Sequence, residues 1–469
     1  MIPKSAKPKI GLLALSLELY ETLAPDLRTQ REDWVRRDIL PALAPIAEVL
    51  FHRAVFRTED IEHVVGQFEA EGADALVVLM LAYSPSQVSL PVLQRTRLPI
   101  LIWNTQELYG VDSSFGLADL FANHGVHGTQ DLANVLLRSG VSFHYVTSHV
   151  RDASAMAELA DFFAAAAAVR KLRQARIGLL GYPFPGMGDF AVDTTRLRST
   201  LGCSWVLLTV EDYIKRAAAV LPRDAAALVD DYRHRYEVAP DLAEADLSAT
   251  ARVEIALRGM IADHRLDAFT YQFMAFGDDD RTSTLPFVAA SRLMSEGIGF
   301  GGEGDLVGAA ATAFLHWLNP PASFAEMFTI DFAGNSLFMS HMGEANTAMA
   351  RRDRRIALVA RPTPITRTRE RQLALVTSFE PGPATLMALA QVAGGQWRFI
   401  VAPMMIEDFG PLASLCLPHF KLKPATEVRS FLTAYAKAGG PHHNTVCFGD
   451  ARRRLSMAAR MLGAEYSEI

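Results

Sequence analysis

The chain has 469 residues, 50% hydrophobic and 21% charged, with a formal net charge of −6 and an isoelectric point near 6.1. This length exceeds one ordinary core, so two or three domains are expected, and the apolar content excludes a disordered chain. The mild acidity excludes the clustered basic face that a nucleic-acid partner requires.

The basic opening, Met1 to Lys9, leads into a short apolar run broken by Glu18, and no small-residue cleavage site follows, so no signal peptide is read. The stretch Lys9 to Leu15 opens a regular alternation of strand and helix. Further buried strands are expected at Glu48 to His52, Ala73 to Tyr83, Pro99 to Asn104 and Ser142 to Thr147, with amphipathic helices such as Thr58 to Glu71 and Gln130 to Arg138 between them. Continuous apolar strands separated by helices imply a parallel sheet covered on both faces. The longest apolar stretch, Phe162 to Val169, is an alanine-rich helical face, shorter than the roughly 20 residues of a membrane span.

A long helix, Ala153 to Gln174, ends where Arg176-Ile177-Gly178-Leu179-Leu180-Gly181 restarts the pattern of the opening strand. A domain boundary is expected there. The second block continues with a strand at Trp205 to Val210, a helical stretch from Arg223 to Arg265, a strand at Ala268 to Phe273 and a helix at Leu285 to Glu296. Pro320 and Pro321 stop the next helix, and the segments after them alternate like antiparallel strands: Met327 to Phe332, Ile356 to Arg361, Leu373 to Ser378 and Trp397 to Pro403, with one helix at Glu427 to Ala438. The expected architecture is therefore α/β, two doubly wound parallel-sheet domains (residues 1–175 and 176–319) followed by a β-rich C-terminal domain (residues 320–469). The arginine-rich stretch from Arg351 to Arg371 reads as a solvated loop or subunit edge, with anion recognition as the alternative. The widely spaced Cys203, Cys416 and Cys447 fit buried thiols in a reducing, cytoplasmic compartment.

Gly299-Phe300-Gly301-Gly302-Glu303-Gly304-Asp305 is the most conspicuous short segment. A dinucleotide loop would have to follow a strand and open a helix, whereas the preceding Ser291 to Glu296 reads as helical. A plain glycine turn and a loop that presents the Glu303 carboxylate both remain open. Glu326, His341 and the pair His442-His443 follow downstream, without the helical spacing that marks a metal site by itself.

The order GFGGEGD, SFAE, SHM and GGPHH resembles the L-arabinose isomerase family, and matching islands run from about residue 10 to residue 450. The resemblance implies that Glu303, Glu326, His341 and His443 bind a catalytic divalent metal, Mn²⁺ with Mg²⁺ or Co²⁺ as alternatives. It gives Glu303 and Glu326 the proton transfers of an aldose–ketose isomerisation through an enediol. It places Leu17, Glu18, His127, Met187, Phe273 and His442 at the sugar. It also implies a homo-oligomer, a hexamer, with sites completed by neighbouring subunits. At position 17 the chain carries Leu17 where the family has a sugar-contacting glutamine, so an isomerase or epimerase for a different or modified sugar is the alternative, beside a non-catalytic sugar-binding protein.

Overall fold

The computed structural model describes residues 7–277, 281–282, 284–361 and 372–469. The chain forms two compact units, Met1–Arg170 and Lys171–Ile469.

The first unit is built on a parallel sheet with strand order Glu48–Leu50, Lys9–Leu15, Ala75–Met80, Ile100–Asn104, Phe143–Thr147, and the short Ala54–Val55 also pairs with Lys9–Leu15. Every residue of Ala75–Met80 is buried, as expected of a central strand covered on both faces. From Lys9–Leu15 the chain first adds Glu48–Leu50 on one side and later Ala75–Met80 on the other. The strand order therefore reverses between Lys9–Leu15 and Ala75–Met80, the switch point at whose carboxyl ends open parallel sheets generally bind ligands.

The second unit opens with a four-stranded parallel sheet, ordered Gly299–Gly301, Ala268–Tyr271, Arg176–Leu180, Ser204–Leu208. The helix expected before the glycine-rich segment is present as Phe287–Ser295, but the segment itself begins as a strand and opens the Leu306–Leu318 helix, which the sequence reading did not anticipate. Three residues, two of them glycine, give too weak a strand signal to be read locally. The stretch read as one helix from Arg223 to Arg265 is two, Pro222–Arg235 and Glu244–His264, separated by Glu237–Val238. Pro240 pushes Ala239 out of helical geometry and explains the break. An additional helix, Val210–Ala219, starts where Thr209 accepts a hydrogen bond from the Asp212 amide, so the preceding strand stops at Leu208.

Beyond Pro321 the chain is β-rich. A seven-stranded sheet runs Gly382–Gln391, His443–Phe448, Ala322–Asp331, Ser336–Ser340, His419–Pro424, Trp397–Ile406, Glu465–Glu468, and the Gly382–Gln391 to Trp397–Ile406 pairing curls it into a barrel. Ala357–Arg361 and Gln372–Val376 lie instead in a separate three-stranded sheet with Glu237–Val238. A second helix, Arg452–Met461, joins the anticipated one at Val428–Lys437. Of the arginine-rich stretch, Arg367, Arg369 and Arg371 lie outside the described residues. Cys203 and Cys447 are buried and Cys416 only partly so. Among the described residues no helix is long and apolar enough to cross a membrane.

Candidate functional site

Glu303 stands in a tight turn between the Gly299–Gly301 strand and the Leu306–Leu318 helix. Its φ is 59°, left-handed, and Gly304 follows at 86°. The left-handed region disfavours a side chain with a Cβ, so this turn has to be held. The Thr270 hydroxyl donates to the Gly302 carbonyl at 3.3 Å and accepts from the Gly304 amide at 3.0 Å, while the Phe184 amide donates to the Glu303 carbonyl at 2.9 Å. At Gly302 a Cβ would lie 2.8 Å from His341 Nε2, so this position needs glycine for the imidazole to approach.

Sheet register assembles the remaining groups. Glu326 on Ala322–Asp331 lies directly opposite His443 on one neighbouring strand and opposite Ser340, which precedes His341, on the other. Cross-strand partners sit close enough for their side chains to interact. His443 Nε2 is 3.1 Å from Glu326 and 3.7 Å from Glu303, and His442 Nε2 is 3.6 Å from Glu326 and 3.8 Å from Glu303. Phe324 packs edge-on against both His341 and His443, with ring centroids 4.8 Å apart in each case, and Phe190 stacks on His443 at 5.1 Å. These contacts fix the imidazole planes.

Each histidine also meets a carboxylate through its other ring nitrogen. His443 Nδ1 is 2.8 Å from Asp305, His341 Nδ1 is 2.6 Å from Glu344, and His442 Nδ1 is 2.5 Å from Asp189. Asp305 has a second task, because its other oxygen accepts from the Val307 and Gly308 amides and caps the Leu306–Leu318 helix. Sequence reading missed these three carboxylates. The aspartate heading an apolar helix and the glutamate three residues after His341 were the available signals.

Burial pushes the Glu303 carboxyl up, but the His442 and His443 imidazoles outweigh it and hold it at about 2. Burial likewise raises Glu326, and His443 with the His341 charge brings it below the usual range. For His443 burial favours the neutral ring, yet Asp305, Glu303 and Glu326 raise it well above the usual imidazole value; Glu344 raises His341 in the same way.

Glu303 Oε2, His341 Nε2 and His443 Nε2 are nonetheless buried without an aligned hydrogen bond, even though His443 Nε2 comes within 3.1 Å of Glu326. Buried polar atoms are rarely left so, and three ligand-type atoms orphaned in one place fit a bound cation. Glu303, Glu326, His442 and His443 offer ligand atoms within 4.8 Å of one another, a group able to hold a metal ion. Carboxylate oxygens with imidazole nitrogens suit a divalent first-row metal, and a carboxylate on the far nitrogen of each ring is the usual support for such a ligand.

The other sequence-predicted residues fall in two places. Met187 and Phe273 belong to the second unit: the Met187 amide donates to the Phe184 carbonyl, and the Phe184 and Phe273 rings lie 6.0 Å apart, so both join the segment that holds the Glu303 turn. Leu17, Glu18 and His127 belong to the first unit. There the Glu18 carboxylate is engaged by Arg57, Leu17 is half-buried just past Leu15, and the His127 ring stacks on Tyr83 at 4.8 Å.

Two family models match the second unit, the L-arabinose isomerase central domain over residues 186–319 and the L-arabinose isomerase C-terminal domain over residues 321–465, together more than half of the chain. The chain belongs to the L-arabinose isomerase family. It is a divergent member of this family of sugar isomerases. It is 28% identical to the L-arabinose isomerase of Acidothermus cellulolyticus over 85% of this chain and 81% of that one. Identity to the enzyme named likewise from Geobacillus kaustophilus is 26% over 93% and 88% of the two chains, and to that from Clavibacter sepedonicus 29% over 81% and 77%. Among solved structures, a periplasmic solute-binding protein from Actinobacillus succinogenes with bound D-allose aligns with 66% of this chain and 92% of that one, at 14% identity; its TM-score of 0.15 carries no argument about fold or ligand.

Proposed function

We propose that this chain interconverts an aldose and a ketose by moving a proton between C1 and C2 of a small open-chain sugar through an enediol, with Glu303, Glu326, His341 and His443 holding a divalent cation, Mn²⁺ before Mg²⁺ or Co²⁺. The observation that carries the reading is the trio of buried, unpartnered ligand atoms on Glu303, His341 and His443. His341 is preferred to His442 as the fourth ligand because its side chain is only 4% exposed and its Nε2 faces the Glu303 turn, whereas His442 is 39% exposed, as suits a group that meets substrate.

A divalent cation bound here would supply Lewis acidity to a carbonyl and its neighbouring hydroxyl. The chain's own residues do the rest. Glu303 and Glu326 are held as carboxylates, so either can take the proton from carbon while the other serves the hydroxyl proton. Phe324 and Phe190 fix the imidazoles and keep water from their faces. Met187 and Phe273 offer apolar walls to the sugar carbons, and His127, with Leu17 and Glu18, belongs to a sugar-facing surface on the first unit.

We place a domain boundary near residue 175 and another near residue 320, the latter supported by the borders of the two family matches. We also place the protein in the cytoplasm as a homo-oligomer, a hexamer by family resemblance. A panel of pentoses, hexoses and modified sugars, assayed for ketose formation with and without added Mn²⁺, tests the reading. Turnover of at least one aldose that depends on the metal supports it, and sugar binding without turnover of any member would favour a binding protein.

A further inference from the structure

His341 follows the Ser336–Ser340 strand, and its ring is held through Nδ1 while Nε2 faces Gly302. One oxygen of Glu344 lies 2.6 Å from His341 Nδ1, and the other accepts the hydroxyl of Tyr271. His341, Glu344 and Tyr271 are all buried. Tyr271 ends the strand whose preceding residue, Thr270, braces the Glu303 turn. A chain of tilted and edge-to-face ring contacts, Tyr271 to Phe300 at 5.4 Å, Phe300 to Phe324 at 5.4 Å and Phe324 to His341 at 4.8 Å, joins the tyrosine to the imidazole.

An ionised carboxylate only accepts, so Nδ1 of His341 must carry the proton that joins it to Glu344. In the neutral ring Nε2 is then left with a free lone pair, and this nitrogen faces Gly302 and is buried without a partner. Fixing the tautomer in this way is what a metal-binding imidazole requires of its surroundings. Geometry, charge and burial therefore all bear on one nitrogen.

We propose that Glu344, anchored by the Tyr271 hydroxyl, is a positioning residue that turns the Nε2 lone pair of His341 into the carboxylate cluster. The inference rests on the metal reading given above. It adds two residues outside the ligand set whose loss weakens the site without removing a ligand.

The test titrates Mn²⁺ into the full-length metal-free protein by calorimetry, comparing wild type, Glu344→Gln and Tyr271→Phe, and records the visible bands of the Co²⁺-loaded forms as a signature of imidazole ligation. Glu344→Gln should weaken Mn²⁺ binding roughly 10- to 100-fold and change the Co²⁺ bands. Tyr271→Phe, which removes one anchoring hydrogen bond, should weaken it by roughly 3- to 10-fold. A folded Glu344→Gln protein with wild-type Mn²⁺ affinity and unchanged bands overturns the inference while leaving the metal site intact. If circular dichroism shows that Glu344→Gln does not fold, Tyr271→Phe decides, and wild-type affinity in that variant overturns it equally. A wild-type protein that binds no Mn²⁺ overturns the metal reading and this inference with it.

Discussion

Glu303 adopts a left-handed backbone that costs a residue with a side chain about 1–3 kcal/mol, and the hydrogen bonds from Thr270 and Phe184 hold it there. Strain retained at one carboxylate beside two imidazoles is consistent with a side chain whose placement matters to chemistry. Glu303→Gln and Glu326→Gln keep shape but remove a base, and each should lower kcat at least ~10²-fold with the fold intact, as steady-state rates and bound-metal analysis would reveal. Gly302→Ala should displace His341, because the new Cβ would meet its Nε2 at 2.8 Å. The expected cost is about 1–3 kcal/mol of stability, read from denaturant unfolding, together with weaker Mn²⁺ binding. The shifts also set a pH dependence. Carboxylates held low stabilise the metal-free fold above their unfolded value, near 4.3, and lose that contribution as pH falls through their lowered values, about 2 for Glu303; imidazoles held high contribute below about 6.5 and lose it as pH rises through their raised values. Metal-free stability from the cluster should therefore be greatest between about pH 4.5 and 6.5, whereas Mn²⁺ affinity, which needs neutral imidazoles, should climb with pH. Unfolding curves and calorimetry across that range check both signs.

Two elements converge on Asp305: it caps the Leu306–Leu318 helix with one oxygen and orients His443 with the other. Asp305→Ala should cost about 0.5–2 kcal/mol of stability through the cap and weaken metal binding as well, whereas Asp305→Asn, which can still cap, should lose mainly the second effect. Thermal unfolding with and without Mn²⁺ separates the two. At this scale the sequence is unevenly legible. Parallel strands such as Ala75–Met80 are continuous apolar runs between amphipathic helices, and so were readable. Gly299–Gly301 was not, because its place in the sheet comes from pairing with Ala268–Tyr271 and not from its own composition. The pairing of Glu326 with His443 is likewise invisible locally, since register between strands so far apart in the chain is settled by the whole sheet. Residue types and family resemblance singled out Glu303, Glu326, His341, His442 and His443, but the carboxylates behind the three imidazoles, Glu344, Asp189 and Asp305, emerged only from distances.

For the molecule as a whole, metal and sugar are the two variables. Free Mn²⁺ at 100 times its dissociation constant should add about 2.7 kcal/mol to the stability of the second unit, provided the unfolded chain does not bind it. L-arabinose should not be the best substrate. By the sequence resemblance Leu17, which offers no hydrogen bond, stands where the family has glutamine, and its neighbour Glu18 is already engaged by Arg57. Sites built on a hydrogen bond to a sugar hydroxyl discriminate by factors of about 10⁴ when the partner is missing, so this exchange is large enough to redirect specificity. Ranking kcat/KM across pentoses, hexoses and modified sugars settles this point, and arabinose ranking first would refute it. The central claim is tested most directly by stripping the protein with a chelator and following aldose-to-ketose conversion of its best sugar as Mn²⁺ is titrated back. The account predicts no turnover in the stripped protein and recovery that saturates at one ion per chain; full turnover without metal, or none at any Mn²⁺ concentration, would contradict it.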